Sequence, residues 1–268
     1  MKFISFNING LRAHLHQLSE IITKHQPDII GLQETKVHDD FFPLKDINHY
    51  GYHIFYYGQK SYYGVAFLIK NKPIKIHYGF KNDKKDLQRR CIIAQITTIQ
   101  GILIIINCYC PQGENKNNII KFSAKKQFYQ DLQSYIKKKL SKNSLIMVMG
   151  DMNISYHNFD IGINEQNRKR WLRTGKSSFL PEEKKWMKNL LNLGLIDTYR
   201  YKNPIKNNEF SWFDYRSNGI KNNRGLRIDL ILVTNSLIKY FYDSGIDYKI
   251  RNMNKPSDHA PIWAEFSF

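Results

Sequence analysis

The chain has 268 residues, 42% hydrophobic and 14% aromatic, enough apolar mass for a sizeable core in one large domain or two small ones. Lys and Arg number 41 against 23 Asp and Glu, a formal charge of +18, which is the electrostatic footprint of a protein that meets a polyanion, nucleic acid or an anionic surface. Three cysteines with no CxxC pair exclude a disulfide framework and a structural zinc site, and aliphatic runs about one strand long exclude a membrane-spanning helix.

Asn7, Asn9 and Arg12 stand where a signal peptide needs an apolar run, so a reducing cytoplasm is expected. Residues 3–8 alternate apolar and polar and read as a strand ending at an Asn-Gly turn. Leu11, Leu15, Leu18, Ile21 and Ile22 follow at helical spacing, and Pro27 closes that helix. Residues 28–33 read as the next strand, with Glu34 just past it. Alone, Glu34 reads as an ordinary surface acid. Stretches 52–57 and 64–70 read as a hairpin, as do 91–98 and 102–107, the second pair turning at Gln100-Gly101. Tyr109 falls at the end of the second hairpin, between Cys108 and Cys110, which read as small core residues.

Residues 122–140 carry Phe128, Leu132, Tyr135, Ile136 and Leu140 at helical spacing. Lys125, Lys126, Lys137, Lys138 and Lys139 read as its solvated face. Leu145 to Met149 is apolar throughout and reads as a strand buried on both faces. It stops at Gly150, and Asp151 and Asn153 follow two apart. That spacing puts an acid and an amide on one side of an extended chain, either as an Asx-turn or as a site. A basic cluster, Arg168-Lys169-Arg170-Trp171-Leu172-Arg173, precedes a helix opened by Pro181-Glu182-Glu183 and ended at Gly194. Residues 210–213 and 227–233 read as strands, the second with Asp229 inside an apolar run. A buried acid needs a partner, and Asp258-His259 offers one in the turn before a final strand. No repeat, low-complexity tract or linker divides the chain, so one domain over 1–268 is expected. Hairpins with interspersed helices predict an α/β fold, two mainly antiparallel packed sheets flanked by helices.

Six candidates thus lie at strand ends: Asn7, Glu34, Tyr109, the Asp151/Asn153 pair, Asp229 and the Asp258/His259 pair. An oxygen-rich, thiol-free set of this kind suits a hard cation, Mg²⁺ or Mn²⁺, and the positioning and charge stabilisation of phosphoryl transfer.

Asn7-Ile8-Asn9-Gly10-Leu11-Arg12, Leu32-Gln33-Glu34-Thr35-Lys36, Gly150-Asp151-Met152-Asn153-Ile154, Arg227-Ile228-Asp229 and Ser257-Asp258-His259-Ala260-Pro261 resemble, in order and spacing, the motifs of the exonuclease III family. These are abasic-site endonucleases of the endonuclease/exonuclease/phosphatase superfamily. Residues 167–175 and 210–216 resemble its bacterial members in particular. The resemblance implies a four-layered α/β sandwich. It implies a monomeric, Mg²⁺-dependent DNA repair nuclease acting on double-stranded DNA with abasic sites or 3′ ends. Its activities would be 3′-to-5′ exonuclease, incision 5′ to the abasic site and 3′-end phosphatase or phosphodiesterase. Glu34, Asn7, Asp258 and Asp151 would hold the metal. Asp151 would activate water with Asn153 beside it, Tyr109 and His259 would face the phosphate, and Asp229 would orient His259. Trp212, Leu226 and Ile228 would wall a pocket for a sugar without its base, against the alternative that Trp212 is core. Arg89, Arg90, Lys121, Lys125 and the run Arg168 to Arg173, with Arg168, Arg170 and Arg173 as its arginines, would track the backbone.

The chain departs from the family's pattern at Ser155-Tyr156-His157, where proline is usual and a looser loop is expected, and at Arg12-Ala13-His14-Leu15, which lacks a second arginine. Two other readings compete. A superfamily relative acting on a lipid or inositol phosphate would show an exposed apolar hairpin. A DNA-binding protein that had lost the chemistry would have replaced Glu34, Asp151, Asp229 or His259, and all four are in place.

Overall fold

The computed structural model describes residues 1–80 and 88–268. Strand β1 (Lys2–Asn7) sends Phe3 into one apolar layer and Ile4 and Phe6 into another, as its alternation requires. Helix α1 (Leu15–His25) leads to β2 (Ile29–Gln33), β3 (His53–Tyr57), β4 (Val65–Ile69) and β5 (Lys75–Tyr78). The hairpin β6 (Cys91–Thr98) and β7 (Gly101–Tyr109) is followed by the long α2 (Ile119–Lys139) and β8 (Leu145–Asp151). After α3 (Glu165–Thr174) and α4 (Pro181–Leu191) come β9 (Leu195–Asp197), β10 (Trp212–Phe213), β11 (Gly225–Leu226), β12 (Asp229–Thr234), β13 (Phe241–Ile246) and β14 (Ile262–Phe266).

Two six-stranded sheets result, in the orders β13-β14-β1-β2-β4-β3 and β5-β6-β7-β8-β12-β9, with a small β10-β11 ribbon beside them. Each has a single parallel pair, β1/β2 in one and β7/β8 in the other, and is otherwise antiparallel. A parallel return needs a crossover, and α1 and α2 supply it. Phe3, Phe67, Ile105, Met147 and Ile231 fill the space between the sheets. Ile4, Phe6, Leu18 and Ile21 cover the first sheet's outer face, and Ile106, Val148, Leu132, Met187 and Leu190 cover the second's. The layers therefore stack helix, sheet, sheet, helix, the four-layered α/β sandwich expected. Among the described residues, no helix is long and apolar enough to cross a membrane.

The differences from the sequence reading have physical causes. Strands β5, β9 and β13 escaped it because all three are sheet edges, short or with one face in water, where no apolar run develops. The basic cluster around Trp171 lies in helix α3. Leu11 sits in a separate helical turn, Leu11–Ala13, ahead of α1. Strand β12 starts at Asp229, so Arg227 and Ile228 precede it. Lys125 is the largest correction. It belongs to the buried stripe of α2 with Phe128, Tyr129, Leu132 and Ile136, and its side chain is 0% exposed. It neither faces water nor reaches a DNA backbone, because its ammonium is spent inside on Glu183 at 2.5 Å. The loop after Asn153, which lacks proline, is tied down by hydrogen bonds instead. Ser155 is buried, its N–H donating to Ser178 O at 2.7 Å and its hydroxyl to Arg227 O at 3.3 Å.

Candidate active site

The strands' inward rows run from apolar to polar towards one end of the sandwich. In β7 the row is Leu103, Ile105, Asn107, Tyr109; in β8 it is Leu145, Met147, Met149, Asp151. In β12 it is Val233, Ile231, Asp229, and in β1 it is Phe3, Ser5, Asn7. The backbone register sets Tyr109, Asp151 and Asp229 side by side on three neighbouring strands. Asn7 and Glu34 arrive from the opposite sheet, so the site closes the gap between the two.

Hydrogen bonds join the pieces. The Asn7 amide donates to Glu34 Oε1 at 2.8 Å and to Asp151 Oδ2 at 3.0 Å. His259 Nδ1 lies 2.8 Å from Asp229 Oδ2, and its Nε2 lies 3.9 Å from Asp151 Oδ2. The predicted acid–histidine partnership is formed. Ser211 Oγ accepts the N–H groups of Ile228 and Asp229, and Ser257 Oγ accepts that of His259, which fixes both partners through their backbone. Asn153 N–H donates to Asp151 Oδ1 at 2.9 Å, an Asx-turn, while its side-chain amide donates to Cys110 O at 2.8 Å. The two readings of Asp151 and Asn153 were not exclusive: the turn holds the carboxylate in the site. Glu34 and Asn153 both have a φ of 52°, a left-handed backbone that is costly for residues with a side chain and is tolerated where the surroundings enforce it.

The electrostatics are crowded with acid. Burial and the Asp229 carboxylate push the Asp151 carboxyl up to about 8, although His259 pulls the other way. Burial opposes the charge of His259, but Asp229, then Asp151 and Asp258, outweigh it and carry the imidazole up to about 10. Burial also opposes the charge of Glu34, yet Lys36 at 2.8 Å and the Asn7 amide hold its carboxyl below the usual range. Burial and the nearby Glu34 raise the Tyr109 phenol well above its ordinary value, so it is a proton-bearing donor at neutral pH.

These groups open into a cavity of about 390 Å³. Trp212 and Trp171 line it, with Leu226 and Ile228 at the apolar end, packed on Phe179. Lys176 lies 3.7 Å over the Trp171 ring. Gln112, Lys176, Ser178, Asp214 and Arg216 also line it and were missed in the sequence; only the aromatic and basic character of their segments hinted at them.

Glu34, Asp151 and His259 bring one donor atom each to within 4.8 Å of one another, and two carboxylates with no thiol suit a hard divalent cation. Asp258 is not in this group. Its oxygens accept from Asn9 Nδ2 at 2.8 Å and Trp212 Nε1 at 2.9 Å, so it braces the pocket wall. Asn7 turns its NH₂ to the acids while its oxygen accepts Asn9 N–H at 3.1 Å, so in this arrangement it meets Glu34 and Asp151 as a donor.

The predicted backbone-tracking residues divide. Arg90 is 7% exposed, stacked 4.0 Å over Tyr63 and 4.5 Å over Tyr109, with a hydrogen bond to Tyr109 O. It holds Tyr109 and is too buried to follow a strand. Arg89 is ion-paired with Asp39. Lys121 is exposed, paired with Glu114 at 2.6 Å. Arg168, Arg170 and Arg173 lie on α3, with Arg170 and Arg173 exposed and Arg168 bonded to Asn158 Oδ1 at 2.7 Å.

A profile of the endonuclease/exonuclease/phosphatase family matches residues 4–259. The chain is 57% identical over 266 residues to the exodeoxyribonuclease III of Haemophilus influenzae, covering 99% of this chain and 100% of the relative. A solved 3′ phosphatase from Neisseria, bound to a product DNA hairpin, superposes with a TM-score of 0.92 at 33% identity over 100% of both chains. An AP endonuclease from Archaeoglobus fulgidus does so with a TM-score of 0.90 at 31% identity, again over 100% of both. The chain belongs to the endonuclease/exonuclease/phosphatase family. Within that family its relatives are exodeoxyribonuclease III and AP endonucleases, and it is a hydrolytic nuclease of their type.

Proposed function

We propose that this nuclease is a single-domain, monomeric, cytoplasmic DNA repair enzyme that hydrolyses phosphodiester bonds of double-stranded DNA. It removes nucleotides from 3′ ends, cuts 5′ to abasic sites and clears blocked 3′ ends. The observation that carries this reading is the convergence of Glu34, Asp151, His259 and Tyr109 on a cavity whose apolar end is walled by Trp212, Leu226 and Ile228, with Asp229 buried behind His259. An acidic end suits a cation and a phosphate, and an apolar end suits a sugar stripped of its base.

Mg²⁺ or Mn²⁺, bound chiefly by Glu34 and Asp151, would lend positive charge to the phosphoryl oxygens. The chain's own groups do the rest. Asp151, in its ionised form, takes the proton of the attacking water, and Asn153 N–H fixes its orientation. His259, kept charged by Asp229, donates from Nε2 to a non-bridging oxygen. Tyr109, steadied by Arg90, donates its phenolic hydrogen to the charge growing on the leaving oxygen. Trp212, Leu226 and Ile228 receive the bare deoxyribose, and Arg170, Arg173 and Lys121 meet the backbone from the rim.

The test is a duplex with one synthetic abasic site, incubated with and without EDTA, with the product ends mapped. Incision 5′ to the lesion and digestion from 3′ ends are expected with Mg²⁺ or Mn²⁺ and abolished by EDTA. Full activity in metal-free buffer overturns the reading.

A further inference from the structure

Lys125 of α2 and Glu183 of α4 are both 0% exposed, an unusual burial for this pair of residue types. Their arrangement ties together segments that the site depends on. Lys125 Nζ shares its three protons among four oxygens, Asn153 O at 2.8 Å, Ser177 Oγ at 2.9 Å, Gln112 O at 3.1 Å and Glu183 Oε1 at 2.5 Å. Glu183 Oε2 accepts the N–H groups of Ser178 and Leu180, each at 2.8 Å. Gln112 stands three residues beyond Tyr109, and Asn153 stands two beyond Asp151. One ammonium therefore grips the carbonyls of both chain segments that leave β7 and β8 at the site. The same pair anchors Ser178, which lines the cavity with Gln112 and Asn153.

Stability does not account for the choice of residues. A buried ion pair replaced by apolar groups of similar volume is often no less stable. A charged donor, however, makes short, directional hydrogen bonds that a methylene cannot. Resting on the reading of the site given above, we propose that Lys125 and Glu183 form a positioning pair for phosphodiester hydrolysis. The ammonium sets the distance between the Tyr109–Gln112 and Asp151–Asn153 segments. The phenol aimed at the leaving oxygen and the carboxylate that takes the water's proton are thereby held in register. Neither Lys125 nor Glu183 touches substrate. Both act through Asn153 and Gln112.

The experiment removes the charges together. Lys125→Met/Glu183→Gln keeps the length of Glu183 and all but the terminal atom of Lys125 and leaves no lone buried charge, and the amide oxygen introduced on α4 still accepts from Ser178 and Leu180. The variant and wild type are compared on the abasic duplex with saturating Mg²⁺, with melting temperature, kcat and KM measured on the same preparations. A misplacement of about 1 Å at a reacting centre can cost ~10²-fold, so kcat should fall by about that factor. KM for the duplex should change less than about threefold, and the melting temperature should stay close to wild type. A folded double variant with wild-type kcat overturns the proposal, as does a loss confined to KM. Ser177→Ala leaves the ion pair intact and removes one partner of the ammonium. It should lower kcat by ~3–10-fold, the worth of one hydrogen bond, and an unchanged kcat there also counts against the proposal even where the double variant does not fold. Wild type that fails to cut the duplex refutes the proposed function instead, so the two failures are separable.

Discussion

Arg227 and Asp229 are two residues apart and belong to two buried charge clusters built on opposite terms. Arg227, 2% exposed, bonds Asp160 through Nε at 2.7 Å and Nη2 at 3.1 Å, and Asp197 through Nη2 at 2.5 Å and Nη1 at 3.2 Å. Arg200 Nε adds a bond to Asp160 at 3.0 Å, so two arginines meet two aspartates and the charges cancel. Burial works against the charge of Asp160, but Arg227 and Arg200 hold its carboxyl below the usual range. Around Asp229 the acids outnumber their partners. Glu34, Asp151 and Asp229 share one imidazole and Lys36, and Asp229 Oδ1 is buried without a hydrogen-bond partner among the described residues. A cluster that satisfies itself is architecture. A cluster left with surplus negative charge beside a cavity is kept ready for something positive.

The comparison is tested hardest at Asp151. Asp151→Asn keeps shape and removes the base, so turnover should fall by ~10²–10⁴-fold while duplex binding and folding persist. Stability should not suffer, because a crowded charge is relieved. The pH dependence has a definite sign. The folded carboxyl titrates at about 8 against an ordinary 3.8, so between those values the native state holds more protons and wild-type stability falls as pH rises. In EDTA the melting temperature of wild type should decline across that window more steeply than that of Asp151→Asn. Near-normal turnover in the variant would reduce the Gly-Asp-x-Asn stretch to a turn.

The self-satisfied cluster should answer differently. Arg227→Met leaves Asp160 with Arg200 alone and deprives Asp197 of its buried arginine partner, and should cost about 3–5 kcal/mol in urea denaturation. Should that loss fail to appear, the pairing described above would not be what holds the loop at Asp160. The smallest effect concerns the cavity's apolar end. Trp212→Ala should slow incision at an abasic site by about tenfold, in keeping with the worth of a pocket contact. It should also narrow the preference over undamaged duplex, because a wider pocket admits a base. Rates on both substrates, with circular dichroism to verify folding, decide this; an unchanged ratio would return Trp212 to a packing role.

Much of the site was legible because it is written along strands. Phe3, Ser5, Asn7 and Met147, Met149, Asp151 show an inward row turning polar, and the sequence alone carries that pattern. Asp229 inside an apolar run demanded a partner, and His259 is that partner. What stayed hidden depends on contacts distant in sequence. Lys125 reads as one lysine of many, although its spacing to Phe128, Tyr129 and Leu132 is that of the buried stripe. Arg90 reads as a DNA contact until Tyr63 and Tyr109 are both seen packed against its guanidinium. Asp160 gives no signal, because its partners are 40 and 67 residues away.

The pairing of β14 with β1, together with the placement of His259 just ahead of β14, has a consequence for synthesis on the ribosome. A nascent chain that has emerged as far as Asp229 already carries Asn7, Glu34, Tyr109 and Asp151, yet it lacks the imidazole and the strand that completes the first sheet. Joining Ser257 to Asn7, at 2.7 Å between Oγ and the backbone oxygen, closes a loop 250 residues apart in sequence. Such closure comes late, since local contacts form sooner than distant ones. Cutting power therefore arrives only after nearly all the fold is laid down.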